Sequence, residues 1–150
     1  MKYEMEVGNR GTVVVELYED KAPKTVKQIG NFIEDGFYDA QHIHRVENWV
    51  VQWGDPLSKD LESNGRMVGS GGSGKSLPFE SNDVPMKRGV LAMASTGAGV
   101  GGDSQMFVLK NDGDWLQGSY CAFGAVVEGM EVIDSIQKND AIISIKKLAD

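Results

Sequence analysis

Apolar and polar positions alternate at the start of the chain. Tyr3, Met5 and Val7 are interleaved with Glu4 and Glu6, a period of two that predicts a half-buried strand. Gly8-Asn9-Arg10-Gly11 reads as a turn, and Thr12 to Leu17 as the returning arm of a hairpin. Within that arm Val13 to Val15 is continuously apolar, as expected of a strand covered on both faces. The period then changes. Pro23 opens a segment in which Val26, Ile29 and Ile33, with Phe32 beside them, form one helical stripe, and Gly36 ends it. Short strands are predicted around His42 to Val46 and Trp49 to Trp53, joined through Glu47-Asn48. Further strands are expected at Val90 to Ala94, Gln105 to Leu109, Cys121 to Val127 and Ile142 to Leu148. Val132, Ile133 and Ile136 mark a second, short helix, and Gly124 suggests a bulge or a corner. Between these elements, Gly65 to Pro78 and Gly97 to Gly102 carry no periodicity and read as surface loops. Many short strands with Gly-rich turns and only two helices favour a barrel or sandwich over a parallel sheet.

Composition narrows the function classes. The 150 residues are 41% hydrophobic and 25% charged, which suits one globular domain spanning residues 1–150. A net charge of −7 argues against a general electrostatic grip on nucleic acid or anionic membranes. No apolar run approaches the ~20 residues of a membrane span, and no signal-peptide pattern stands at the start. One cysteine, Cys121, leaves no internal disulfide and no zinc site built on several thiolates. A cytoplasmic protein is expected.

Two glycine motifs invite a nucleotide reading. Gly69-Ser70-Gly71-Gly72-Ser73-Gly74-Lys75-Ser76 matches the phosphate-loop spacing, but Arg66-Met67-Val68 makes a poor buried strand before it and Pro78 a poor helix after it. Gly97 to Gly102 contains the dinucleotide spacing, yet it leads into a strand rather than a helix. His42 and His44 are the only histidines, with Asp39 and Asp55 as the nearby candidates for a metal site, and a structural role suits them better. No nucleophilic triad or acid–base pair stands out, and no cofactor or metal is expected. What remains is Arg45 with Gln52 and Gln105 among Trp49, Val50, Val51, Trp53, Phe107, Trp115 and Leu116. Such a set can form an apolar pocket with fixed hydrogen-bonding groups at its edge.

In order and spacing, several blocks resemble the cyclophilins, the peptidyl-prolyl cis-trans isomerases that bind cyclosporin. They include Gly11 to Val26, Gly36-Phe37-Tyr38-Asp39, His44-Arg45-Val46 and Val51-Gln52-Trp53-Gly54-Asp55-Pro56. Gly89 to Ala94, Ser104-Gln105-Met106-Phe107, Trp115-Leu116-Gln117-Gly118, Cys121 to Gly124 and Val127 to Met130 continue the likeness. The resemblance implies a closed eight-stranded antiparallel β-barrel with a helix capping each end and a groove on its outer face. It makes Arg45, Gln52 and Gln105 the catalytic group. Trp49, Val50, Phe107 and Leu116 would line a proline pocket and Ala94 and Ser95 the backbone-binding edge; Trp115 matches the tryptophan associated with cyclosporin binding, and Tyr120, also in the substrate-binding set, falls where many members have histidine. The link from Arg45 to Gln52 is one residue shorter than the usual family pattern, Ser95 replaces a common Asn, Met106 a Phe and Trp53 a Gly.

By that likeness the expected activity is X–Pro bond rotation in support of protein folding. The partners would be proline-containing peptides and unfolded or folding proteins, with cyclosporin as a candidate ligand and a monomer as the expected state. The alternative is a module of the same fold that binds proline segments with little or no turnover.

Overall fold

The structure, a computed structural model, describes residues 1–149. Strands β1 (Lys2–Val7), β2 (Gly11–Leu17), β3 (Arg45–Val46), β4 (Val50–Trp53), β5 (Val90–Met93), β6 (Met106–Leu109), β7 (Ala122–Glu128) and β8 (Ile142–Lys147) form one sheet. Its order is β3-β4-β6-β5-β7-β2-β1-β8, and neighbours run antiparallel. The helices are α1 (Pro23–Glu34), a single turn α2 (Leu61–Asn64) and α3 (Met130–Ser135).

Local pattern explains most of these elements. Tyr3, Met5 and Val7 of β1 are buried whereas Glu6 is exposed, as alternation requires. Val13, Val14 and Val15 of β2 are all buried. Helix α1 buries Val26, Ile29, Phe32 and Ile33, and ends where Gly36 takes a φ of +72°. Its start has no local cap. Instead the Glu80 carboxylate, more than fifty residues away, accepts from the backbone N–H groups of Lys24 (3.1 Å) and Thr25 (2.7 Å) and from Thr25 Oγ1 (2.7 Å). A negative charge there also suits the helix dipole. The irregularity expected at Gly124 falls beside it, where the β5–β7 register shifts between Leu91 and Ala92.

The expected closed barrel is not formed; the sheet is an open half-barrel. β3 and β8 stand at its two ends and share no ladder. The gap is stitched by a single His42–Ala141 bridge and by backbone bonds such as Ala40 N–H to Ile142 O (2.9 Å) and Ile43 N–H to Asp140 O (2.9 Å). The physical reason is local. β3 has two residues where His42 to Val46 was expected, and the pairing of residues 40–43 with residues 139–142 does not extend into a ladder between β3 and β8.

Two apolar clusters result. The larger fills the curl of the sheet and takes the buried faces of α1 and α3 with Met5, Val13, Tyr38, Val51, Trp53 and Phe123. The smaller lies on the outer side of β4, β5 and β6 and contains Val50, Ala92, Phe107, Leu109 and Leu116. Val51 and Trp53 therefore serve the interior and not the pocket in which the sequence grouped them. Gly54, with a φ of +113°, closes β4, and a Cβ there would lie 2.3 Å from Ser104 O.

Candidate active site

Register builds this site. β3 and β4 pair Arg45 opposite Gln52, and β4 and β6 pair Gln52 opposite Phe107. The short link is absorbed by a tight turn, in which Glu47 N–H donates to Val50 O at 2.9 Å, so the Arg45–Gln52 pairing is kept. A one-residue slip would have exchanged the two faces of β4.

The polar groups form one chain. Arg45 Nη1 donates to Gln52 Oε1 (3.3 Å), and Gln52 Nε2 donates to Gln105 Oε1 (3.0 Å). Gln105 Nε2 donates onward to the carbonyls of Gly69 (3.0 Å) and Gly71 (2.8 Å). The N–H groups of those same glycines donate to Asp55 Oδ2, at 2.6 and 3.0 Å. Asp55 is fully buried, and its other oxygen accepts from Leu57 N–H (2.8 Å). A network of this kind holds flexible amides in one orientation. His44 lies beside it, and burial holds its imidazole below the ordinary histidine value despite the nearby Asp55 and Gln105.

A small cavity of about 130 Å³ sits on the outer cluster, lined by Arg45, Gln52 and Ser95 at its polar edge and by Val50, Phe107 and Leu116 among its apolar walls. Trp49, Ala94 and Tyr120 complete it. Tyr120 packs edge-on against Phe107, with ring centroids 6.0 Å apart. Ser95 Oγ is turned onto Gly97 O (2.8 Å). Of the residues expected here, Gln105 lines the adjoining hollow beside Gln52, Ala94 and Ser95. Trp115 is 64% exposed and meets the site only through Trp49, whose ring it touches edge-on at 5.6 Å. A larger hollow between α1, β1 and β8 is bordered by Lys27, Glu34 and Lys146, and has no comparable set of converging amides.

Glu47 is the residue that sequence reasoning passed over. Its Oε2 lies 2.6 Å from both Nε and Nη2 of Arg45. The signal was present, since residues two apart in an extended segment share a face. Trp49 adds its ring, 5.4 Å from the guanidinium carbon.

The glycine loop spends its donors internally. Ser73, Gly74 and Lys75 N–H groups bond to the Asp103 carboxylate, as Gly69 and Gly71 do to Asp55. No helix follows it; residues 77–87 have no regular secondary structure. A phosphate would meet two carboxylates where a nucleotide loop offers free amides. His42 is tied through Nδ1 to Ser58 O at 2.6 Å. The Cys121 thiol is pushed up by burial, with Thr25 Oγ1 at 3.6 Å. It offers no activated nucleophile.

Residues 2–147 match the family described as cyclophilin type peptidyl-prolyl cis-trans isomerase/CLD. A peptidyl-prolyl cis-trans isomerase of Synechococcus elongatus is 33% identical over 144 residues, covering 94% of this chain and 92% of its own. Peptidyl-prolyl cis-trans isomerase B of Escherichia coli is 34% identical over 147 residues, covering 86% and 80% respectively. In fold, a crystal structure of a Cryptosporidium parvum cyclophilin superposes with a TM-score of 0.86 at 23% identity, over 99% of this chain and 98% of its own. With the family match spanning residues 2–147 and relatives above 30% identity along most of its length, the chain belongs to the cyclophilin-type peptidyl-prolyl cis-trans isomerases.

Proposed function

We propose that the cavity beside Arg45 takes the proline ring of a peptide substrate and that Arg45 drives rotation of the preceding amide. The observation that carries this reading is the meeting of a cationic fork and an oriented amide with a small apolar cavity at one place. Rotation about an X–Pro bond has a barrier of about 18–20 kcal/mol, because amide resonance must be lost. No bond breaks, so the protein need only favour the twisted amide over both planar forms. Val50, Phe107 and Leu116 exclude water around the ring. As resonance is lost the prolyl nitrogen regains a lone pair, and an Arg45 N–H can donate to it. Gln52, held by Gln105, orients Arg45 and the neighbouring substrate carbonyl. A 10⁵-fold acceleration corresponds to about 7 kcal/mol, within reach of one charge-assisted bond with desolvation and positioning.

The partners in this reading are proline-containing peptides and unfolded or folding proteins. A related Cryptosporidium parvum structure was determined in the presence of the dipeptide Ala-Pro, which supports peptide as the ligand class. Cyclosporin would rest against Trp115 and the same walls. The chain acts as one isomerase domain and as a monomer, in a reducing compartment such as the cytoplasm. The unpaired Cys121 is consistent with that compartment. Among the described residues no helix is long and apolar enough to cross a membrane.

The test is NMR exchange of an Ala-Pro-Phe peptide with wild type and Arg45→Ala. The expected result is a loss of kcat/KM by about 10²- to 10³-fold in the variant. Arg45→Lys should recover little, because an ammonium cannot copy the planar fork. An Arg45→Ala protein within about threefold of wild type would overturn the role given to Arg45.

A further inference from the structure

We infer that Glu47 is a positioning residue for Arg45, an assignment that rests on Arg45 being the group that meets the prolyl nitrogen. The carboxylate is delivered by a turn that is held on several sides. Glu47 N–H closes the turn onto Val50 O at 2.9 Å. Its carbonyl accepts from Lys110 Nζ (3.3 Å), the Asn48 carbonyl from Asn111 Nδ2 (2.9 Å), and the Trp49 carbonyl from Lys110 N–H (2.8 Å). The segment after β6 thus fixes the turn between β3 and β4.

The guanidinium is consequently restrained from three directions. Glu47 Oε2 takes its Nε edge at 2.6 Å and Nη2 at 2.6 Å, Gln52 Oε1 takes Nη1 at 3.3 Å, and the Trp49 ring covers it at 5.4 Å. A guanidinium carries five N–H bonds. With these contacts made, one N–H on each terminal nitrogen stays uncommitted. Those are the donors available to the prolyl nitrogen and the adjacent carbonyl.

Two effects of the carboxylate compete. It orders a long, flexible side chain before substrate arrives, so less freedom is lost on reaching the twisted amide. It also offsets part of the positive charge. Both side chains are nearly half exposed, so water and salt screen the charge effect strongly. Screening leaves the geometry intact, and ordering dominates. Glu47 thereby supplies a restraint on Arg45 from within the shortened link itself.

The experiment measures peptide exchange by NMR for wild type, Glu47→Ala, Glu47→Gln, Arg45→Ala and the Glu47→Ala/Arg45→Ala pair. Glu47→Ala should lower kcat about fivefold and change KM by less than about twofold. Glu47→Gln keeps an acceptor oxygen at the same reach and should return to within about twofold of wild type. The Arg45 Nε–H resonance should be visible in wild type and Glu47→Gln, and broadened by water exchange in Glu47→Ala. The double variant should be no slower than Arg45→Ala alone, as expected when one residue acts only through the other. Glu47 is exposed, so thermal melting should confirm that every variant folds. An unchanged or raised kcat in Glu47→Ala, with Arg45→Ala inactive, would overturn the role of Glu47 alone. Glu47→Gln as slow as Glu47→Ala would assign the effect to charge and overturn positioning. Full activity of Arg45→Ala would overturn both assignments together.

Discussion

Strands β4 and β6 present alternate side chains to two different environments. Inward, Val51, Trp53, Met106 and Val108 join the large cluster; outward, Val50, Phe107 and Leu109 join the small one, with Gln52 among them. The inner set works by volume, and almost every atom of it is packed. Even its exception is passive, for Trp53 Nε1 is buried without a partner. The outer set is also buried, but Val50 and Phe107 border a cavity edged by groups whose hydrogen bonds run in one continuous chain from Arg45 to Asp55. The same backbone therefore serves stability on one face and, in the function proposed here, chemistry on the other, and register decides which residue faces which side.

A matched pair of truncations breaks that comparison most directly. Phe123 is fully buried in the inner cluster and Phe107 is 5% exposed in the outer one. Phe123→Ala should cost about 3–5 kcal/mol of stability. Phe107→Ala enlarges a cavity that already exists beside it and should fall at the low end of that range, about 3 kcal/mol. Activity should order them the other way. Phe107→Ala should lose about a hundredfold in kcat/KM at temperatures where Phe123→Ala, still folded, loses little. Denaturant melts and NMR exchange on both proteins provide the check. Equal activity losses would mean that the two faces are mechanically coupled.

Asp55 sharpens the boundary between the faces, because it is buried yet ends the polar chain of the groove. Asp55→Asn places an NH₂ group among the N–H donors of Leu57, Gly69 and Gly71. It should cost about 1–3 kcal/mol. It should also lower kcat/KM about tenfold, because Gln105 loses the carbonyls that orient it. Loss of stability with intact turnover would show that the chain from Asp55 to Arg45 does not position the arginine.

The smallest effect concerns His44. Burial depresses its folded-state pKa below the ordinary 6.5, with Asp55 and Gln105 opposing that shift and Arg45 and Lys138 adding to it. The sign follows from proton binding: below 6.5 the unfolded chain takes up a proton that the folded chain resists. The stability tied to neutral His44 is thus present above 6.5 and lost as pH falls below it towards the lower folded value. Melting temperatures of wild type and His44→Gln at pH 7 and pH 5 should show the smaller drop in the variant. An equal drop in both would remove His44 from the account.

Much of the molecule is legible in its pattern. Alternation in Tyr3 to Val7, the stripe from Val26 to Ile33 and the β-branched run at Val13 to Val15 locate their elements, because a side chain's period along the backbone is a local property. The ordered blocks carrying Arg45, Gln52 and Gln105 pointed to the family by resemblance rather than by periodicity. Tertiary structure alone decided the rest. Glu80 caps α1 from across the chain, and Asp55 and Asp103 consume the amides of a loop whose spacing resembles a phosphate site. The turn that carries Glu47 is held by Lys110 and Asn111, and the sheet stays open because two residues of β3 build no ladder to β8. Each of these is a hydrogen-bonding choice between groups distant in sequence, and a polar group's partner is set by where the fold brings it.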